Sequence, residues 1–171
     1  MVAWIAAMPE PIDFRTDDDF TASIWISPEA IGTMLNAASK AGRRETGGIL
    51  IGRYGPEGWS ADVVEATPKP KGSRSGRCWF QRSSFGLADL LERRWGEGLH
   101  YLGEWHFHPG NAPTPSNPDI RAMRRVASDE AYRCPAPILV ILGGSPKYEW
   151  RLSATLFRDD RVVTMKQHSL E

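Results

Sequence analysis

The stretch Gly103–Met123, GEWHFHPGNAPTPSNPDIRAM, carries two histidines one residue apart, a proline-rich loop, and then Ser116, Asn117, Pro118 and Asp119. Valine, isoleucine and leucine are absent from Gly103 through Asp119, which is unusual for a fold-building segment of that length. Leu99–Phe107, LHYLGEWHF, is a strand candidate. Side chains alternate faces along a strand, so Glu104, His106 and His108 share one face and Trp105 and Phe107 the other. The aromatic pair can anchor in a core while the imidazoles stay together on the opposite side. Two imidazoles at i and i+2 can reach one metal ion, and neutral imidazole is a common zinc donor. Pro109 ends the strand, residues 110–115 turn the chain, and Ser116 has the look of a helix N-cap. Pro118 then falls in the first helical turn and Asp119 three residues after the cap. A carboxylate there can face back to the histidines as a third ligand and leave a fourth position for water. The competing reading is structural. Ser-x-x-Asp is also a capping box, an aspartate near a helix N-terminus is favoured by the dipole alone, and a lone His-x-His often marks nothing more than half-exposed strand residues.

Spacing beyond the histidines carries more information. His106-x-His108-Pro109, with seven residues between His108 and Ser116 and two more before Asp119, resembles the JAMM motif of MPN-domain metallopeptidases. That motif includes a glutamate well upstream, at the head of a strand after the first helix, and Glu45 in RRETGGILIG sits there. The similarity runs from the strand at Ile24 to the strand near Val163. It implies an α/β fold of the MPN type, a mixed β-sheet flanked by helices and related to the cytidine-deaminase-like architecture. Read alone, Glu45 would be a solvated carboxylate beside Arg43 and Arg44.

Length and composition set the outer bounds. A chain of 171 residues is most simply one domain with a proper core. Lysine plus arginine equals aspartate plus glutamate, which argues against a general nucleic-acid binder. Two cysteines make neither a disulfide framework nor a zinc knuckle, and reduced thiols in a cytoplasmic protein are the expectation. Met1–Met8, MVAWIAAM, is too short for a membrane span and lacks a basic leader. Residues 1–20 read as an N-terminal arm, with a short strand allowed at Ile12–Arg15, residues 21–168 as one domain, and residues 169–171 as a tail. The terminal Leu170-Glu171 has the character of a vector remnant and is left out of the fold reading.

Along the chain, Ile24–Ile26 is a short strand, and Ser27-Pro28-Glu29 starts a helix whose Ile31, Met34, Leu35 and Ala38 face inward and which Gly42 stops. Glu45–Arg53 follows as an apolar strand. Its Gly47-Gly48 pair needs a reason, such as close approach of another backbone or a ligand. Residues 54–58 turn, and Trp59–Ala66 returns as a hairpin partner. Thr67–Arg77, TPKPKGSRSGR, has no apolar side chain beyond its prolines and reads as a mobile loop. Cys78–Gln81 is a short strand and Ser83–Gly96 a helix with Phe85, Leu87, Leu90, Leu91 and Trp95 as its apolar residues. Cys134–Gly143 holds the buried run ILVIL. Tyr148–Arg158 and Val162–Met165 complete the sheet. The tryptophans are most simply core residues.

The resemblance also implies the chemistry. His106, His108 and Asp119 hold one Zn²⁺ per chain, Glu45 acts as general base and then acid, and Ser116 stabilises the oxyanion. Glu104 is either a partner for a ring N–H, a rival ligand, or a solvated strand carboxylate. The reaction implied is hydrolysis of an amide bond, often an isopeptide bond, after the C-terminal tail of a ubiquitin-like protein. The short chain looks more like the stand-alone prokaryotic JAMM proteins. GEWHFHP and ETGGILIG resemble the small isopeptidases of CBASS-type antiphage operons, where an E1–E2-like partner attaches a nucleotide cyclase to targets. Phe107 departs from many eukaryotic relatives, which have Ser or Thr between the histidines. Two alternatives stay open: a non-catalytic MPN scaffold that binds ubiquitin-like tails, and a protease that processes a sulfur-carrier protein. Lys69, Lys71, Arg74 and Arg77 read either as a solvated loop or as a flap that meets the substrate tail.

Overall fold

The computed structural model describes residues 8–17, 22–55 and 59–168. Met1–Ala7, most of the acidic run at 17–19, part of the turn at 54–58 and the tail at 169–171 lie outside them. The strands are β1 (Ile12–Arg15), β2 (Ser23–Ile26), β3 (Thr46–Tyr54), β4 (Ser60–Ala66), β5 (Arg74–Ser75), β6 (Phe80–Gln81), β7 (His100–Pro109), β8 (Ile138–Gly144), β9 (Trp150–Arg158), β10 (Arg161–Thr164) and β11 (Lys166–His168). The helices are α1 (Pro28–Ala41), α2 (Leu87–Gly96) and α3 (Asn117–Ser128). Nine strands form one mixed sheet in the order β10-β9-β8-β7-β3-β4-β2-β1-β11, and β5 and β6 form a separate hairpin. The mixed α/β architecture expected from the motif is the one found. The strand allowed at Ile12–Arg15 forms, and it joins the sheet between β2 and β11 with Phe14 fully buried.

The sheet has a core on each face. α1 covers one face and packs Ile31, Met34 and Ala38 against Leu50, Val63, Trp105 and Phe107. It starts as its sequence dictates: the Ser27 hydroxyl accepts from the Ala30 N–H at 3.1 Å, Pro28 opens the first turn, and Gly42 at φ 64° ends it. The other face carries Ile49, Ile51, Leu87, Tyr101 and Val126 in one cluster and Met123, Leu139, Ile141 and Phe157 in another. α3 is the crossover between the parallel strands β7 and β8.

β7 lies between β3 and β8 and contains a bulge: Leu50 pairs with Gly103 but Ile51 with Tyr101. The extra residue puts Tyr101 on the same face as Glu104 while Leu102 and Trp105 both enter the α1-side core. Only glycine fits at 103, where φ is 150° and an added Cβ would run into the backbone of Ile138.

Four sequence expectations need correction. The segment 67–77 is not simply a loop. Arg74–Ser75 pairs with Phe80–Gln81, the Gly76 N–H donates to the Trp79 carbonyl at 2.9 Å, and Pro70 is buried. Two-residue strands are too short to show an alternating pattern. α2 begins at Leu87 rather than Ser83, because Gly86 takes the left-handed conformation (φ 74°) and Ser83 and Ser84 form turns. Trp79 and Trp95 are exposed, as is Phe85, so the tryptophans do not all belong to the core. β8 also starts later than Cys134, after Pro135 and Pro137, which have no N–H to give a ladder. Cys134 itself is buried with its sulfur 2.9 Å from the Tyr54 hydroxyl, while Cys78 is exposed at the tip of the β5–β6 hairpin.

Candidate metal centre

β7 presents Glu104, His106 and His108 on the α3 side, all buried, with Trp105 and Phe107 on the other. Ser116 caps α3 and the reciprocal box closes: the Asp119 N–H donates to the Ser116 hydroxyl at 3.2 Å, and the Ser116 N–H donates to Asp119 Oδ2 at 2.7 Å. The capping-box reading of Asp119 holds, and it does not compete with the ligand reading. The box that starts the helix also fixes the carboxylate so that it faces the histidines. Asp119 Oδ1 lies 3.0 Å from His106 Nδ1, and Oδ2 lies 3.4 Å from His108 Nε2. One donor atom from each of His106, His108 and Asp119 lies within 4.8 Å of the others.

The electrostatics of this cluster favour a cation. Burial works against a charged His106, yet the adjacent Asp119 and Glu104 carboxylates hold its pKa up at about 9. Burial likewise opposes an ionised Asp119, but His106, His108 and the Ser116 N–H keep it far below the carboxylate range. Two imidazoles and a carboxylate, buried and biased toward positive charge, fit a divalent metal of the transition series.

Glu45 stands at the head of β3, half-buried. Burial pushes its carboxyl up, His108 and His106 pull it down, and Asp119 adds to the rise. These neighbours put it within electrostatic reach of the whole cluster. The Gly47-Gly48 pair has the reason expected of it. A side chain at Gly47 would strike the Trp105 carbonyl, the Phe80 ring and the His106 ring, and one at Gly48 would strike Thr67 and the Trp105 indole. Thr67 in turn accepts from Trp105 Nε1 at 2.8 Å through its carbonyl and from the Ile49 N–H at 3.0 Å through its hydroxyl. Glycine here lets β3 press against β7 beside His106.

Glu104 is not a solvated carboxylate. Its Oε1 accepts from Arg82 Nε at 2.9 Å and Nη2 at 2.7 Å, and its Oε2 lies 3.5 Å from His106 Nε2. Arg82 and His106 outweigh burial and hold its pKa down. Arg82 was missed by sequence reasoning. It lies in an irregular segment just after β6, and no local spacing links it to Glu104. Ser116 is exposed beside the cluster. Lys69, Lys71, Arg74 and Arg77 are all exposed around the hairpin, whose Gly76 carbonyl accepts from the Glu45 N–H at 2.8 Å. A cleft of about 500 Å³ opens between the hairpin and α3, lined among others by Phe80, Arg82, His106, Asp119 and Arg125.

A mixed sheet with a His-His-Asp cluster able to hold a metal and a glutamate at its rim is the kind of site a metallohydrolase uses. The chain belongs to the prokaryotic homologs of the JAB domain, whose family model matches residues 27–153. This is the family that the spacing of Glu45, His106, His108, Ser116 and Asp119 resembles. The chain is 45% identical over 146 residues to a CD-NTase/cGAS isopeptidase of Enterobacter hormaechei subsp. hoffmannii, covering 85% of this chain and 81% of that protein. It is 29% identical to a probable metalloprotease of Sinorhizobium fredii, over 72% of this chain and 77% of the other. The solution structure of protein DSY2949 from Desulfitobacterium hafniense shares the fold, with a TM-score of 0.61 at 21% identity over 81% of this chain and 87% of that one.

Proposed function

We propose that this protein is a zinc-dependent isopeptidase that cuts the amide bond after the C-terminal tail of a ubiquitin-like or similarly conjugated protein. The observation that carries the reading is the buried convergence of His106, His108 and Asp119 with Glu45 at its edge. Those three side chains would hold the ion. When bound, zinc supplies a Lewis acid that makes water a nucleophile at neutral pH. Glu45 takes a proton from the attacking water and returns it to the leaving amine, and burial, which raises its carboxyl, makes it a stronger base than a solvated glutamate. Ser116 accepts the Asp119 N–H through its hydroxyl oxygen and keeps its own O–H to donate to the developing oxyanion.

Similarity to the Enterobacter CD-NTase/cGAS isopeptidase makes a conjugate of a nucleotide cyclase the first substrate to try, with an E1–E2-like enzyme as the partner that forms it. Lys69, Lys71, Arg74 and Arg77 are proposed to meet the protein that carries the tail. Among the described residues no helix is long and apolar enough to cross a membrane, and a cytoplasmic site of action is part of the proposal.

The test is incubation of the purified protein with amide-linked cyclase and ubiquitin-like fusions, with and without chelator, beside metal analysis. Cleavage that stops with chelator is expected. Glu45→Gln should keep its zinc and lose on the order of 10²-fold or more in rate. Near-normal cleavage by Glu45→Gln, or zinc content that does not fall in His106→Ala, would overturn the assignment. Cleavage confined to a sulfur-carrier fusion would move the substrate, and tail binding with neither zinc nor cleavage would make the protein a scaffold.

A further inference from the structure

Glu104 divides its two oxygens between different tasks. Oε1 takes both bonds from Arg82 and faces the Tyr101 hydroxyl at 3.5 Å, while Oε2 is left to His106 Nε2. The Arg82 and Glu104 side chains are 12% and 10% exposed, so water contributes little to holding either. Arg82 Nη2 also donates to the Tyr132 hydroxyl at 3.2 Å, and Nη1 donates to the Ser83 carbonyl at 3.3 Å. The guanidinium is thus fixed from two sides. Its position in the chain sets it beside the cluster. Arg82 directly follows β6, whose Phe80 sets its ring edge against His106 with centroids 5.5 Å apart. The other half of the same hairpin is bound to the Glu45 backbone through Gly76.

We infer that Arg82 is a positioning residue for the metal centre: it pins the Glu104 carboxylate against the Nε2 edge of the His106 ring. This rests on the zinc isopeptidase reading of the same cluster. Arginine suits the task because its fork delivers two N–H groups to one oxygen and still reaches Tyr132, which the single ammonium of lysine cannot do. Partners that orient a ligating histidine commonly change metal affinity by about 10–100-fold when removed.

The experiment measures zinc affinity by chelator competition, with urea unfolding of the metal-free variants recorded in parallel. Arg82→Gln is expected to weaken zinc binding by about 10-fold or more. The double variant Arg82→Gln/Glu104→Gln should be no weaker than Glu104→Gln alone, because Arg82 acts through Glu104. Arg82→Lys keeps the charge but not the fork, and should fall between parent and Arg82→Gln. It stands in for Arg82→Gln if that variant does not fold. Zinc affinity within about twofold of the parent in a folded Arg82 variant, or losses that simply add in the double, overturns the inference. A parent that holds zinc but cuts no conjugate removes the isopeptidase reading and leaves the Arg82 result standing. A parent that cuts while Arg82→Gln binds zinc normally does the reverse.

Discussion

Gly47 shows how a residue without a side chain can be part of a site. An added Cβ there meets the Trp105 carbonyl, the Phe80 ring and His106 Cδ2, and the first of these is backbone that cannot give way. Gly47→Ala is therefore expected to destabilise by roughly 1–3 kcal/mol and to lower zinc content as well. Gly32 in α1 has nothing within 4 Å of its Cβ position, and Gly32→Ala should stabilise by about 0.5–1 kcal/mol. Urea titration of the two variants, with metal analysis, tests the contrast. The legibility of the residues follows from how far apart their partners lie. His106, His108 and Asp119 could be read as a set because a strand, a turn and a helix cap fix their relative places within a short span. Glu45 could be joined to them only through family resemblance. Arg82 could not be found, since it meets Glu104 across 22 residues with no regular element spanning the gap.

At the scale of elements, short apolar-poor pieces were the ones misread. The β5–β6 hairpin has strands of two residues, and its order comes from tertiary bonds: Gly76 to Glu45, and the Ser83 N–H to the Ser73 hydroxyl at 2.9 Å. α1 and α3, which have Ser caps and prolines in their first turns, were legible in the sequence. The hairpin and the segment leading into it expose Lys69, Lys71, Arg74 and Arg77 to solvent. Exposed charges act mainly on encounter and are screened over roughly 8–10 Å at ordinary salt. Replacing all four with Ser or Gln should raise KM for a conjugate substrate, flatten its salt dependence, affect kcat less, and leave zinc content unchanged. Steady-state kinetics across a salt series decides this, and an unchanged KM and salt response would return the four to plain solvated surface.

The whole molecule brings the site together from β3, β7 and α3, and the sheet order was the least legible feature. β2 pairs in parallel with β4 and β7 with β8, while β1 pairs with β11 from the far end of the chain. Pairings between remote segments leave no periodic trace in the residues themselves. One consequence concerns folding. Glu45, His106, His108 and Asp119 are brought together only when β3 is paired with β7 and the α3 crossover is docked. Zinc should therefore bind the native state far better than the unfolded one. At a free concentration about 1,000 times its Kd, binding adds roughly 4 kcal/mol. Chelation should lower Tm correspondingly in a thermal scan, and His106→Ala should lose most of that difference. A Tm insensitive to chelator in zinc-loaded protein would contradict the placement of the ion.

The unequal burial of the two cysteines offers a spectroscopic window. Cys134 is 3% exposed, and burial pushes its thiol up to about 11, so it is poorly reactive at neutral pH. Cys78 stands in solvent at the hairpin tip. A maleimide dye should therefore mark the native chain at Cys78 alone, with Cys134 reacting only in denaturant, and mass spectrometry of the labelled peptides can verify it. The sequence thus carries its own reporter on the hairpin that borders the cleft, and emission from that dye can follow arrival of a conjugate in real time.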